Sequence, residues 1–183
     1  MHSDELNRDK SASKFVAPPS KEEGPVGPPV YLEKGIDDYI CDIQVPESGP
    51  YETGGWVIHV PKRGDVEAHD QVIPRQNILV ESNPDSAKAH YETDWREAYQ
   101  MYQYWVKYMG GSIVFAYHTG RHPGAKLSGG DLSHFSNLKE GHILTNIPQV
   151  VFDVEDGKVK AKAAYRSNPV TRDYIRAPLV IKT

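Results

Sequence analysis

Apolar positions along this chain follow two periods, and the change from one to the other marks its elements. Tyr39, Cys41, Ile43 and Val45 alternate with Ile40, Asp42 and Gln44, a period of two that predicts a half-exposed strand over 39–45. Residues 55–60, with Trp56, Val57, Ile58 and Val60, predict a second strand stopped by Pro61. The stretch 62–75 is polar and rich in turn formers, so a loop is expected there, followed by a short strand over 76–81 around Ile78, Leu79 and Val80.

The period then lengthens. Tyr91, Trp95, Ala98, Tyr102, Trp105 and Met109 recur in steps of four and three, which places them on one helical face. Asn83 suits the cap, Pro84 the first turn, and Asp85 the positive end of the dipole. Gly110 and Gly111 suit a left-handed stop. One long aromatic helix is therefore expected over 84–109, with Trp95, Tyr102 and Trp105 facing a sheet.

Extended structure resumes over 112–118, and the glycine-rich segment 119–141 reads as a long loop. Strands are expected over 143–154 and again after Asp156-Gly157, a tight-turn pair. On the returning strand Val159, Ala161 and Ala163 share one face, and Lys158, Lys160 and Lys162 the other, a pattern that guards an edge against unwanted pairing. A last short strand is expected over 179–181. Strands on both sides of one long helix indicate an α+β fold, a mainly antiparallel sheet with the helix packed across a face.

Composition changes this picture at one end. Residues 1–30 hold five prolines, alternating charges and few large apolar groups beyond Phe15 and Val16. They read as an extended or disordered arm preceding a single domain over 31–183. The net charge of −4 argues against a protein built to grip a nucleic-acid backbone. No apolar run is long enough for a membrane span, and the first ten residues lack the apolar core of a signal peptide, so a soluble intracellular location is expected.

Candidate chemistry centres on four of the eight histidines: His118, His122, His134 and His142. Imidazole exchanges protons near neutrality, and Arg121 and Lys126 could hold an anion beside it. His118, Arg121, His122 and His134 would suit metal-independent cleavage of a phosphodiester, two imidazoles trading the roles of base and acid. His118 and His122 are four apart but straddle Gly120 and precede Pro123, so no helix presents both to a metal, and even with Asp131 or His134 added no metal site is assigned. The run from Gly120 to Lys126 lacks the spacing of a phosphate-binding loop. No cofactor is implied. The lone Cys41 reads as a packed core residue.

No complete catalytic motif is present, and eleven tyrosines are many for 183 residues. Tyrosine is favoured where a surface is half apolar and half wet. With the proline-rich arm, this points to a non-enzymatic subunit of a larger assembly, partnered by a protein or a second copy of this chain. The alternative is the small ribonuclease-like enzyme. Only that alternative brings in nucleic acid, and neither involves a membrane.

Overall fold

The computed structural model describes residues 27–136, 142–168, 171 and 173–183. Most of the arm, including Phe15 and Val16, lies outside the described residues. At its described end, the Arg166 guanidinium donates to the carbonyls of Pro28 and Pro29 at 2.9 and 3.0 Å.

The fold is α+β with a mixed sheet. Six strands run in the order β3 (His69–Arg75), β2 (Gly54–Val60), β4 (Ser112–Gly120), β5 (Gln149–Glu155), β6 (Lys158–Ser167) and β7 (Tyr174–Ala177). Neighbours are antiparallel except β4 and β5, which are parallel. A separate parallel pair joins β1 (Val30–Glu33) to β8 (Leu179–Lys182). The sheet is thus mixed, with one parallel junction, β4 to β5, among its described strands. Parallel neighbours cannot be joined by a hairpin, so the chain between β4 and β5 must cross back over one face. That crossover carries the site.

The expected strand over 39–45 is helical. α1 (Lys34–Tyr39) runs through a π-helical turn (Ile40–Gln44) into α2 (Val45–Ser48). Ile36, Ile40 and Val45, four and five residues apart, all reach the core, and the wide turn absorbs the extra residue. A two-residue alternation over so short a run does not distinguish these cases. Conversely, β3 falls in the expected loop, while 76–81 forms no strand and leads into the single turn α3 (Leu79–Ser82). As an edge strand β3 tolerates polar residues and Pro74, because its pairing with β2 is a main-chain interaction.

The long helix is also revised. Asn83 caps as expected, accepting from the Ser86 amide at 3.3 Å, but α4 spans only Pro84–Ala87. α5 (Trp95–Tyr102) starts afresh, capped by the Asp94 carboxylate on the Arg96 amide at 2.8 Å, and continues as a π-helical segment over Gln103–Tyr108. The interruption is held by Asn77, a buried side chain. Its amide donates to the carbonyls of Glu52 and His90 at 3.0 and 2.9 Å, and its oxygen accepts from the Glu92 amide at 3.4 Å. Tyr91 leaves the helical stripe in consequence. Gly110, at φ 70°, ends the second helix as expected.

One sheet face is closed by β1 and the helical segment 34–48, packing Leu32, Ile36 and Ile40 on Val57, Phe115 and Phe152. On the other face Trp95, Ala98 and Trp105 pack on Trp56 and Ile58, the side expected of them, with Trp105 half-buried. The β5–β6 hairpin turns at Asp156 and Gly157, with φ 51° and 71°. β7 covers only Ala164–Ser167 of β6, so among the described residues no strand pairs with the margin that carries Lys158 and Lys160. Lys162 instead reaches both Asp37 carboxylate oxygens at 2.6 Å. Cys41 is half-buried beside Asp37, and burial pushes its thiol up to about 11, far from a reactive thiolate.

Candidate functional site

Strand register builds the floor. Trp56, Ala116 and Gln149 stand side by side across β2, β4 and β5, and Gly54, His118 and Val151 form the next row. Alternation along each strand puts both rows on one face. An added Cβ at Gly54 would lie 2.5 Å from the Tyr117 carbonyl and 2.7 Å from the Tyr91 ring. Glycine here lets the Tyr91 ring settle on the sheet beside His118. The two rings are parallel within 1°, centroids 6.4 Å apart.

The crossover folds back over this floor. Ala125, fully buried at φ 56°, packs with Val151, Ala163 and Tyr165, and the Tyr165 hydroxyl donates to its carbonyl at 2.9 Å. Asp153 accepts from the Gly124 amide at 3.1 Å. The segment expected to be one long loop then forms α6 (Gly129–Ser136). Ser128 and Asp131 make its reciprocal cap: Asp131 accepts from the Ser128 amide and hydroxyl at 2.8 and 2.7 Å, and the Ser128 hydroxyl accepts from the Asp131 amide at 3.0 Å. This aims the second Asp131 oxygen at Nε2 of His118, 3.4 Å away.

Between floor and crossover lies a cavity of about 530 Å³, within the range of small-ligand pockets. Trp56, Tyr91 and Trp95 supply its aromatic walls; Glu52, His118 and Gln149 its buried polar groups; His122, Lys126 and His134 are exposed side chains that also border it. The His134 ring stacks on Trp95 at 5.8 Å, and His142 meets the same indole edge-on at 4.7 Å. Burial, with a smaller effect from His134, lowers the pKa of His142.

Three of the four candidate residues, His118, His122 and His134, therefore border one cavity. Arg121 does not. Its guanidinium donates to the Pro50 carbonyl at 2.6 Å and lines a neighbouring cavity of about 650 Å³. The cation beside the imidazoles is Lys126.

Glu52 was not a sequence candidate. It precedes β2 by two residues and has no motif around it. Its amide donates to the Ala87 carbonyl at 2.8 Å, and Asn77 holds its carbonyl. The side chain lies on the wall shared by both cavities, with the residue 8% exposed, and its carboxyl makes no hydrogen bond among the described residues. Burial pushes that carboxyl up to about 7; the Asp131 charge adds to the shift, and His118 and Arg121 oppose it. Asp131 goes the other way. Burial opposes its charge, but His118 and the two Ser128 hydrogen bonds prevail and hold it well below the usual carboxylate range. Two carboxyls near one imidazole are thus separated in acidity by their surroundings, the arrangement on which acid–base sites depend. Among the described residues no three His, Cys, Asp or Glu side chains are grouped to hold a metal ion.

No protein-family model matches the chain, and no curated protein sequence matches it. Solved structures do. The solution structure of protein DSY2949 from Desulfitobacterium hafniense aligns with a TM-score of 0.56 and 15% identity, over 83% of this chain and 92% of that one. A protein from Salinibacter ruber aligns with a TM-score of 0.49 and 19% identity, over 82% and 90%. The first likeness bears on the fold alone, an α+β domain with a mixed sheet and short helices.

Proposed function

We propose that this protein is an acid–base enzyme that acts on a small organic substrate in the aromatic-walled cavity. Glu52 takes or gives the proton, and the His118–Asp131 pair serves as the second polar group. The observation that carries this reading is the carboxyl of a buried residue, without a hydrogen-bond partner among the described residues, opening on the same cavity as a carboxylate-held imidazole. A group that titrates near 7 is half ionised at the working pH, which is where proton transfer is most effective.

A suitable probe is 5-nitrobenzisoxazole, which loses its ring C–H proton to a base while the N–O bond breaks to give a coloured phenoxide. The expected result is turnover that rises through about pH 7 and falls by about a hundredfold in Glu52→Gln. Equal rates for wild type and Glu52→Gln at every pH would remove Glu52 from the mechanism and the reading with it. Bis(p-nitrophenyl) phosphate tests the narrower reading of phosphodiester cleavage, for which Lys126 is the remaining cation now that Arg121 is engaged elsewhere.

A second reading, an assembly subunit, has its own support. Tyr99, Tyr104 and Tyr108 on the second helix are 55, 49 and 72% exposed, large aromatic groups left facing outward. Light scattering should give a mass above 20.5 kDa that returns to it when all three become Ser. A monomer at every concentration that binds no other protein sinks this reading and leaves the first intact.

A further inference from the structure

Arg121 is the one candidate among His118, Arg121, His122 and His134 that the aromatic-walled cavity does not use, and its position gives it another part. Glu52 and Gly120 line both cavities, whereas Arg121 lines only the second of the two. The β2–β4 ladder explains how it comes there. Pairing continues past the end of β2, with the Thr119 amide on the Thr53 carbonyl at 2.7 Å and the Thr53 amide on the Thr119 hydroxyl at 2.9 Å. Gly54 pairs with His118, so in this antiparallel register Gly120 passes beside Glu52 and Arg121 beside Tyr51. The Arg121 guanidinium then reaches the Pro50 carbonyl at 2.6 Å. A cation is thereby fixed to the segment that carries Glu52, outside the aromatic-walled cavity.

Arg121 and Glu52 form no ion pair among the described residues, which suits a proton carrier. A carboxylate locked to an arginine stays ionised and takes up no proton near neutrality. A guanidinium farther off favours the ionised form without occupying the carboxylate oxygens, and its own charge is constant because it does not deprotonate. The Arg121 charge accordingly opposes the effect of burial on Glu52. The other charged groups around Glu52 differ from it. Asp131 works against ionisation, and the His118 charge that favours it is titratable and lies 3.4 Å from Asp131. Across the second cavity stand Asp153, Glu155 and Asp156, all carboxylates, with Asp153 accepting from the Gly124 amide. In the aromatic-walled cavity Glu92 is a further carboxylate, and Lys126, His122 and His134 border the space a substrate would fill.

Resting on the acid–base reading above, we infer that Arg121 is a positioning residue for Glu52: a permanent cation, tethered to the Pro50 carbonyl in the second cavity, that keeps the carboxyl available as a base near neutrality without touching the substrate.

The test uses the full chain and two readouts, the Glu52 carboxyl titration followed by carbon-13 NMR and the pH–rate profile with 5-nitrobenzisoxazole. Both are run at low ionic strength, because Arg121 is exposed and salt screens its charge. Arg121→Gln keeps a donor for the Pro50 carbonyl but loses the charge, Arg121→Met loses both, and Arg121→Lys keeps both. In the two charge-free variants the midpoint should rise from about 7 to about 7.5 or above, with KM unchanged, and Arg121→Lys should restore it. Measuring both charge-free variants lets whichever folds decide the matter. An unmoved or lowered midpoint in a folded charge-free variant would overturn the inference, and so would a raised KM at a fixed midpoint, which would make Arg121 a substrate-binding group. A midpoint that rises by NMR in a protein that turns over no benzisoxazole would remove the catalytic reading and leave the action of Arg121 on Glu52 standing.

Discussion

His118 on β4 and Asp131 in the first turn of α6 meet at 3.4 Å, joining the sheet to the short helix that roofs the cavity. Asp131 is also the internal cap of that helix, so one carboxylate both starts α6 and orients the imidazole. Positioning of the helix and of the histidine are therefore a single event.

That coupling has a thermodynamic consequence. The pKa of Asp131 is lower in the folded state than in the unfolded chain, so its contribution is present above about pH 4 and fades as pH falls through its folded value. Asp131→Asn should lower stability by about 1–3 kcal/mol at pH 7, with the difference closing under strong acid. Urea melts across pH measure it. A constant difference down to pH 2 would show that the loss is not electrostatic.

Glu52 should act in the opposite sense. Its folded pKa of about 7 lies above the unfolded value near 4.3, so the folded state holds the proton more tightly. Its contribution is most favourable below about pH 4, declines as pH rises to about 7, and stays low above that. Glu52→Gln should then be more stable than wild type at pH 8, by up to about 3 kcal/mol, and nearly equal to it at pH 4. Thermal melts at the two pH values decide the matter. This gain would accompany the loss of proton transfer, a separation of stability from function.

Gly54 should tolerate no side chain. A Cβ there meets the Tyr117 carbonyl at 2.5 Å, a backbone atom of the neighbouring strand that cannot move aside. Gly54→Ala is expected to cost about 1–3 kcal/mol and to displace the Tyr91 ring from the sheet. Loss of nuclear Overhauser contacts between Tyr91 and His118 reports the displacement. Unchanged contacts with unchanged stability would contradict the packing described above.

Helix and sheet aromatics should differ in weight. Phe115 is fully buried, and Phe115→Ala should cost about 3–5 kcal/mol. Trp105 is half-buried on the second face, and Trp105→Ala should cost about 1–3 kcal/mol, leaving a folded domain. Chemical denaturation of both variants gives the comparison, and equal losses would mean that the helix is seated more deeply than its exposure indicates.

Much of the architecture was legible in local pattern. β2, β4 and the β5–β6 hairpin fall where apolar runs and Asp156-Gly157 put them, and both outer ends of the helical region follow from Asn83 and Gly110. These features depend on interactions within a few residues: a cap, a turn of positive φ, a strand buried enough to be apolar. The errors share a cause as well. Residues 39–45 alternate yet are helical because Ile36 and Ile40 find their partners on β4 and β5, and the helix over 84–109 is broken by Asn77, which lies outside it.

The site divides along the same line. His118, His122, His134 and Lys126 stood out in the sequence because imidazole and ammonium groups close together in a glycine-rich segment are conspicuous by type. Glu52 carries no such mark. A carboxyl becomes an acid–base candidate only when the fold draws it partly out of water, onto a cavity that other polar groups share. The crossover from β4 to β5 creates that condition, bringing residue 131 to residue 118 and both to residue 52. Short-range pattern set which chemical groups were at hand and where the local turns and caps fell. Which of those groups met was settled by long-range packing, because burial and proximity depend on contacts between residues far apart in the chain.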